Sequence, residues 1–358
     1  MEHTYVIAEA GVNHNGSLEM ALQLVDAAVE AGADAVKFQT FRAESLVTRQ
    51  AKKADYQKKT TNLEENQFEM LQRLELNEEE HVRLYNYAKG KGIDFLSTPF
   101  DVQSADFLIN SFSMPYLKIS SGDITNAQLL YKAASARQKI IISTGMCLLS
   151  EIEQALQVLA YGFLHSTPPV SSDDLLRAYL TPEGRRALKE KVTILHCTTE
   201  YPCPLEEVNL RAMLTIREAF GMRVGYSDHT DGIAVPVAAV ALGASVIEKH
   251  FTLDRELPGP DHKASLLPGE MKDMITSIRN VELALGNSEK IPTSSEMKNR
   301  NVARKSIVAS GYIAKGDQLS EGNITVKRPA EGLSALKYWD IINKVASRDY
   351  QKDEPIHE

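Results

Sequence analysis

Short apolar runs recur along the chain, and each is followed by a stretch with apolar residues at helical spacing. The runs cover residues 5–11, 35–41, 94–100, 116–123, 140–146, 192–199, 223–230 and 246–253. Amphipathic stretches such as Leu18–Ala31 and residues 151–159 lie between them. This alternation over residues 1–286 predicts an α/β fold, a closed (β/α)8 barrel of the TIM type.

An open, doubly wound sheet is the alternative to a barrel. Such a sheet usually carries a glycine-rich fingerprint directly after its first strand. Here the first strand leads into residues 11–16, Gly-Val-Asn-His-Asn-Gly, which do not match that fingerprint. The sequence therefore favours the barrel.

The pattern changes after Gly286, and this change divides the chain. Residues 287–301 are polar and predict a linker. Residues 302–358 then show short strand patterns at 305–308 and 324–327, with a turn at 314–317 between them. They predict a small β-rich domain. Because so small a module buries little surface alone, we expect it to dock onto something.

Two insertions interrupt the barrel pattern. Residues 50–66 are polar and basic and follow the second strand, on the face where barrel active sites lie. They are either a solvated loop or a lid over a substrate. Residues 165–191 are rich in proline, serine and charge and enter on the opposite face, where we expect a structural role or an oligomer contact.

Composition and charge narrow the class of protein. The 358 residues are 43% hydrophobic and 25% charged, as in a globular protein, and the net charge is −8. An acidic chain argues against nucleic acid or an anionic membrane as partner. We predict a cytoplasmic protein, because the N-terminus has no signal-peptide pattern and the three cysteines suggest reduced thiols.

Every predicted strand ends in polar residues. In a barrel, catalytic groups lie at the carboxyl ends of the strands, and burying polar groups there without a function is costly. Two cations, Lys37 and Lys118, stand among hydroxyl groups at these ends. This set predicts a site for a phosphate with a carboxylate beside it. The hydroxyl groups are those of Thr98, Ser121, Ser143 and Ser227.

His229 and His250 end the seventh and eighth predicted strands. A single buried histidine is more often a satisfied core residue, but two at equivalent strand ends predict a shared divalent metal. Asp123 or Glu9, together with water, would complete its coordination. Oxygen and nitrogen ligands without a thiolate favour Mn²⁺ or Mg²⁺ over structural zinc.

An ordered set of short motifs covers nearly the whole chain and resembles the bacterial sialic acid synthase family. The motifs are EAGVNHNG at residues 9–16, VKFQT at 36–40, LSTPF at 96–100, KISSGD at 118–123, STGM at 143–146, HCTTEYP at 196–202, YSDHT at 226–230 and EKHF at 248–251. Residues 302–358 resemble the antifreeze-like (SAF) domain of that family.

The resemblance implies a reaction. Enzymes of this family join phosphoenolpyruvate to an N-acyl mannosamine-type sugar in its open aldehyde form. Carbon C3 of phosphoenolpyruvate attacks the aldehyde, water adds at C2, and phosphate leaves by C–O cleavage. A metal ion, Mn²⁺ or Mg²⁺, would polarise the aldehyde oxygen.

The resemblance also assigns residues. The phosphoenolpyruvate-binding positions correspond to Lys37, Thr98, Lys118, Ser121, Ser143 and Ser227, and the metal ligands to His229 and His250. Glu9, Tyr201 and Asp261 correspond to sugar-site positions, and we add Gln39 and Thr199 as substrate-binding residues. We predict Glu9, Asp123 and Arg328 as catalytic. Arg328 corresponds to the arginine that the C-terminal domain inserts into the partner subunit's active site, which predicts a domain-swapped homodimer.

Two positions depart from the family pattern, and the second refines the predicted substrate. Asp123 stands where the family usually has glutamate, so its carboxylate reaches less far. Thr199-Glu200, like residues 53–57 and 259–265, looks more like legionaminic acid synthases. We therefore predict 2,4-diacetamido-2,4,6-trideoxy-mannose as the sugar and N,N'-diacetyllegionaminate as the product. The alternatives are an N-acetylneuraminate synthase using N-acetylmannosamine, a pyruvate-dependent metal aldolase, or a non-catalytic carbohydrate-binding protein.

Overall fold

A computed structural model describes residues 3–54, 57–58, 61 and 65–357. The chain forms two compact units, Met1–Gly286 and Asn287–Glu358. The first unit contains the strands β1 (Tyr5–Gly11), β2 (Ala35–Thr40), β3 (Asp94–Pro99), β4 (Leu117–Ile119), β5 (Ile140–Ser143), β6 (Val192–His196), β7 (Arg223–Asp228) and β8 (Val246–His250). All eight predicted strands are present, and most end a few residues before the predicted end.

The eight strands form one parallel sheet in the order β3-β2-β1-β8-β7-β6-β5-β4. The end strands β3 and β4 contact each other, so the sheet is a nearly closed barrel and the predicted fold class is confirmed. The strands are buried on both faces because helices surround the barrel. The run Ile140-Ile141-Ile142 in β5, for example, is fully buried.

Helices alternate with these strands. In the first unit they are α1 (Leu18–Ala31), α2 (Ala43–Leu46), α3 (Gln67–Leu74), α4 (Glu78–Lys91), α5 (Val102–Ser111), α6 (Ala127–Ser135), α7 (Leu149–Leu164), α8 (Ser172–Leu180), α9 (Pro182–Lys191), α10 (Ala212–Phe220), α11 (Ala234–Ala241) and α12 (Pro268–Leu285). Short 3-10 turns cover Ser121–Asp123, Leu205–Glu207 and His262–Ala264. The insertion at residues 165–191 forms α8 and α9, which pack on α7. Among the described helices, none has the length and apolar character needed to cross a membrane.

The second unit contains α13 (Ser294–Ala303), β9 (Ser306–Ala309), β10 (Ile324–Lys327), a 3-10 turn (Ala335–Lys337) and α14 (Tyr338–Ile341). β9 and β10 pair antiparallel over a small core that includes Ile307, Leu319 and Ile356. The two strands lie close to the predicted segments. The segment predicted as a linker contains α13, which begins with a capping box between Thr293 and Glu296.

The end of helix α3 lies close to the loop after β1, at Gly16. A Cβ at Gly16 would lie 2.3 Å from the carbonyl oxygen of Arg73, and the residue has a φ of +75°. A side chain there would push α3 away from the barrel. This contact matters for the site described below, because α3 forms one wall of its cavity.

We expect Gly16→Ala to destabilise the barrel more than Gly32→Ala. Gly32 has a φ of +82°, but a Cβ added there would meet nothing within 4 Å, so its substitution costs only backbone strain, about 1 kcal/mol. The clash at Gly16 should add about 1–3 kcal/mol. Denaturant unfolding of both variants measures the difference, and equal losses of stability would contradict the close approach.

Candidate active site

A cavity of about 490 Å³ opens at the carboxyl ends of the barrel strands. Fourteen of the fifteen site residues named from the sequence line this cavity: Glu9, Lys37, Gln39, Thr98, Lys118, Ser121, Asp123, Ser143, Thr199, Tyr201, Ser227, His229, His250 and Asp261. The remaining one, Arg328, is an exposed residue of the second unit. The barrel therefore brings together side chains that are up to about 250 positions apart in sequence, as strand ends in this fold do.

The two lysines form the centre of the polar side. The Lys37 ammonium donates to Thr98 at 2.9 Å and lies 2.8 Å from a Glu9 oxygen. The Lys118 ammonium donates to the Ser143 hydroxyl at 2.7 Å. Both lysines are almost fully buried. Buried cations are retained only where anions compensate them, so the pair is suited to an anionic ligand.

Glu248 links these groups; it belongs to the EKHF motif at residues 248–251, but it was given no role from the sequence. Its carboxylate lies 3.5 Å from Lys37 and 3.4 Å from Lys118, and it accepts a hydrogen bond from Ser227 at 2.8 Å. Burial alone would raise the pKa of Glu248, but Lys118 and Lys37 outweigh it and lower that pKa to about 2. Glu248 is therefore ionised and holds the two ammonium groups in place.

Alternation along β8 was the signal that could have identified Glu248. Side chains two apart on a strand face the same side, so Glu248 and His250 share a side while Lys249 faces the other. Lys249 instead forms a fully buried ion pair with Asp228, 2.5 Å long. The same alternation on β7 separates Ser227 from Asp228.

The polar residues at the strand ends thus divide into two groups, one that lines the cavity and one that does not. Asp228 and Lys249 do not line the cavity. The Asn13 amide donates to the Phe251 carbonyl, and His262 contacts Asn15, so these residues join the loops after β1 and β8.

Glu9 sits between the lysine network and the histidines, because β1 pairs with both β2 and β8. The register places Glu9 opposite Lys37 on one side and His250 on the other. Burial raises the pKa of Glu9 to about 7, although Lys37 opposes the rise. A carboxyl group with such a pKa exchanges a proton near neutral pH.

A tight hydroxyl cradle lies beside Lys118. The Gly145 backbone N–H donates to the Ser121 hydroxyl at 3.0 Å. A Cβ at Gly145 would meet the Thr199 hydroxyl at 2.2 Å and Cys197 at 3.2 Å, so only glycine fits. The Thr199 hydroxyl is buried and has no hydrogen-bond partner among the described residues. It is therefore available to a ligand.

Asp123 ends a short 3-10 turn at the cavity edge. Its carboxylate accepts a hydrogen bond from the Ser120 hydroxyl at 2.6 Å. Burial raises its pKa. The hydrogen bond within this turn holds the carboxylate in place.

His229 and His250 lie side by side, with ring centroids 5.6 Å apart, and Tyr201 packs against both rings. The Nδ1 atom of His229 is 2.6 Å from the Thr198 carbonyl oxygen, which can only accept. The proton is therefore on Nδ1, and Nε2 keeps its lone pair. Burial lowers the pKa of both imidazoles, so both are neutral.

These two histidines suit a metal, but the predicted carboxylate ligands do not join them. The Nδ1 atom of His250 is buried without a hydrogen-bond partner in the described part of the chain, and Asp261 lies 4.0 Å from it. Within that part of the chain, no group of three or more histidine, cysteine, aspartate or glutamate residues could hold an ion. That Asp123 or Glu9 completes the shell therefore stays a prediction.

The segment at residues 50–66, predicted as a loop or lid, is only partly within the described residues. Gln57 lines the cavity. Asp55, Tyr56, Lys59, Thr60 and residues 62–64 lie outside the described residues. The helices on either side, α2 and α3, supply an apolar part of the cavity lining.

Comparison with known proteins adds to this geometry. The sequence matches the NeuB family over residues 24–290 and the SAF domain over residues 304–358. The N,N'-diacetyllegionaminic acid synthase of Campylobacter jejuni serotype O:2 is 49% identical over 358 residues, covering 100% of both chains. The N,N'-diacetyllegionaminic acid synthase of Legionella pneumophila is 46% identical over 344 residues, covering 96% of this chain and 90% of that protein. Among solved structures, the N-acetylneuraminic acid synthetase of Leptospira borgpetersenii has a TM-score of 0.67 at 32% identity, with 83% of this chain and 90% of that chain covered.

Proposed function

The chain belongs to the NeuB family, and from this premise we propose that it is a nonulosonic acid synthase that condenses phosphoenolpyruvate with 2,4-diacetamido-2,4,6-trideoxy-mannose. The products are N,N'-diacetyllegionaminate and inorganic phosphate. One observation carries the proposal: the buried network of Lys37, Lys118 and Glu248 lies in the same cavity as the neutral pair His229 and His250.

Phosphoenolpyruvate binds on the lysine side of the cavity. Its phosphate and carboxylate together carry more negative charge than any other group in the reaction. Lys37 and Lys118 supply the compensating cations, and the Ser121, Ser143 and Ser227 hydroxyls lie within the same lining. Glu248 positions the ammonium groups before the substrate arrives, so little reorganisation is needed on binding.

The sugar aldehyde binds beside the two histidines. His229 and His250 would hold a divalent cation, Mn²⁺ or Mg²⁺. Such a cation would supply Lewis-acid stabilisation to the aldehyde oxygen. Tyr201 packs against the His229 ring and Asp261 lies 4.0 Å from His250, which supports a role for both in binding the sugar.

The reaction forms one carbon–carbon bond and breaks one carbon–oxygen bond. C3 of phosphoenolpyruvate attacks the aldehyde carbon while water adds to C2. Asp123 accepts the proton that the water loses, and Glu9, with its raised pKa, gives a proton to the new C4 hydroxyl oxygen. The resulting hemiketal phosphate loses phosphate by C2–O cleavage and leaves the keto group.

The proposed active site includes a residue from a second subunit. Arg328 would reach the active site of a partner subunit, which makes the enzyme a homodimer with exchanged C-terminal units. Support comes from the exposure of large apolar side chains in that unit, with Trp339 71% and Leu336 92% exposed. The free cysteines suit a reducing compartment, so we propose the cytoplasm as the location.

The mass of the product shows which sugar the enzyme uses. The enzyme is incubated with phosphoenolpyruvate, Mn²⁺ and either 2,4-diacetamido-2,4,6-trideoxy-mannose or N-acetylmannosamine. We expect sugar-dependent phosphate release and the mass of N,N'-diacetyllegionaminate, at a rate at least about tenfold above that with N-acetylmannosamine. Pyruvate in place of phosphoenolpyruvate should give no product. Product from pyruvate would instead show an aldolase, and faster turnover of N-acetylmannosamine an N-acetylneuraminate synthase.

A further inference from the structure

The cavity has two sides of opposite chemical character. One side carries the lysines, hydroxyls and histidines. The other side, here called the apolar wall, consists of Val12, Leu46, Met70, Leu71, Leu74 and Phe100. These six residues belong to a hydrophobic cluster that is separate from the barrel core.

The apolar wall is a built surface rather than an accidental patch. Helix α3 begins with a capping box between Asn66 and Glu69 and is fixed at its other end by the close approach of Gly16 to Arg73. The Ala43 backbone N–H donates to the Glu75 carboxylate at 2.5 Å, which ties α2 to the end of α3. The wall therefore keeps its shape without support from a ligand.

Three of the six wall residues fill the interior of the cluster, and the other three are more accessible from the cavity. Val12, Met70 and Leu74 are almost fully buried. Leu46, Leu71 and Phe100 are only partly buried and line the cavity. Leu71 is thus the partly buried apolar side chain of α3 that a ligand can contact, and its substitution leaves the buried Met70 and Leu74 in place.

The wall cannot serve phosphoenolpyruvate. None of its side chains donates or accepts a hydrogen bond, and an anionic group placed against it would lose solvation without compensation. The lysines on the other side of the cavity already compensate the negative charges of phosphoenolpyruvate. The wall is therefore left for the part of the sugar that lies away from the aldehyde, and hydrocarbon surface favours methyl groups over hydroxyl groups there.

We propose that the apolar wall contacts the C6 methyl end of the open-chain sugar and makes the enzyme selective for 6-deoxy amino sugars, with Leu71 as a specificity-determining residue. This inference rests on the proposed function. The inference extends the proposed function by assigning the discrimination at C6 to named side chains. A sugar with a C6 hydroxyl would bury that group against Leu46, Leu71 and Phe100 with no partner.

A matched pair of sugars isolates this contact. N-acetylmannosamine and 2-acetamido-2,6-dideoxy-mannose differ only in the C6 hydroxyl. We expect wild-type kcat/KM to favour the 6-deoxy sugar by about tenfold to a hundredfold, the range that an apolar pocket achieves against an added hydroxyl. Leu71→Gln should reduce this ratio by about tenfold, because the amide can hydrogen-bond the C6 hydroxyl.

Control variants distinguish a loss of sugar recognition from general damage to the enzyme. Leu71→Met keeps an apolar contact and should keep the ratio. Leu176→Gln replaces a leucine that is 41% exposed on α8 and lies outside the cavity lining. It should leave kcat/KM for both sugars unchanged. The KM for phosphoenolpyruvate should change less than about twofold in Leu71→Gln, because its binding groups lie on the other side.

The outcomes distinguish the two levels of the proposal. A wild-type enzyme that turns over both sugars equally, or an active Leu71→Gln enzyme with an unchanged ratio, overturns the role of the wall and leaves the synthase function standing. If Leu71→Gln fails to fold, Leu46→Gln on α2 provides the test, and an unchanged ratio there also overturns it. Absence of sugar-dependent phosphate release from the wild type with every sugar would overturn the proposed function itself.

Discussion

Replacing His250 with alanine should abolish tight Mn²⁺ binding and lower turnover by at least about a thousandfold, with the fold intact. Lewis-acid stabilisation of a developing oxyanion is worth several kcal/mol, and about 4 kcal/mol corresponds to a thousandfold in rate. The same loss is expected for His229→Ala. Among the described residues, no further histidine, cysteine, aspartate or glutamate joins this pair in a metal-binding group, so removal of either histidine leaves too few ligands to retain the ion.

The geometry of the pair explains why the fold should survive. The His250 Nδ1 atom has no hydrogen-bond partner in the described part of the chain, so its removal breaks no hydrogen bond at that atom. His229 donates one bond to the Thr198 carbonyl, so its loss costs about 1 kcal/mol. Its substitution should be slightly more destabilising than that of His250.

Mn²⁺ binding by isothermal titration and folding by circular dichroism test this expectation independently of activity. His165→Ala is the matched control, because His165 is exposed and packs on Tyr161 away from the cavity. It should bind Mn²⁺ as the wild type does. Full turnover of His250→Ala, or of the wild type after chelation, would show that the histidines hold no catalytic metal.

Arg328→Ala should reduce turnover by about a hundredfold if the side chain completes a partner subunit's site, since loss of one positioning contact has effects of that size. Arg328 is exposed on the second unit, so its removal should not alter stability. Lys327→Ala tests the neighbouring cation. Lys327 forms an exposed ion pair with Asp353, and its substitution should leave turnover within about twofold.

Mixing two inactive variants shows whether Arg328 acts across subunits. His250→Ala and Arg328→Ala subunits are unfolded together and refolded as a mixture. In an exchanged dimer, one of the two sites of each mixed pair has an intact barrel and receives an intact arginine. We expect activity to return to about a quarter of the wild-type value, because half of randomly formed dimers are mixed. Activity no higher than that of the separate variants would place Arg328 in its own subunit or outside the mechanism.

Most elements of the fold could be predicted from the periodicity of apolar residues along the sequence. Eight buried strands and the turn at residues 314–317 could be predicted because each depends on local pattern and turn chemistry. The strand ends were less predictable. Residues 120–123 continue the strand pattern but form a 3-10 turn, in which the Ser120 hydroxyl bonds the Asp123 carboxylate. A local side-chain bond of this kind competes with the strand.

The sequence by itself determined which side chains stand at the strand ends, and hence the lysines, hydroxyls and histidines of the site. Only the tertiary structure decided how they are connected. Pairing of β1 with β2 and β8 places Glu9 between Lys37 and His250, and pairing of β7 with β8 brings Ser227 to Glu248. The apolar wall was also invisible in sequence, because α3 joins Phe100 and Val12 only through packing between distant segments. Such contacts depend on register and on close backbone approach, and neither is encoded in a local pattern.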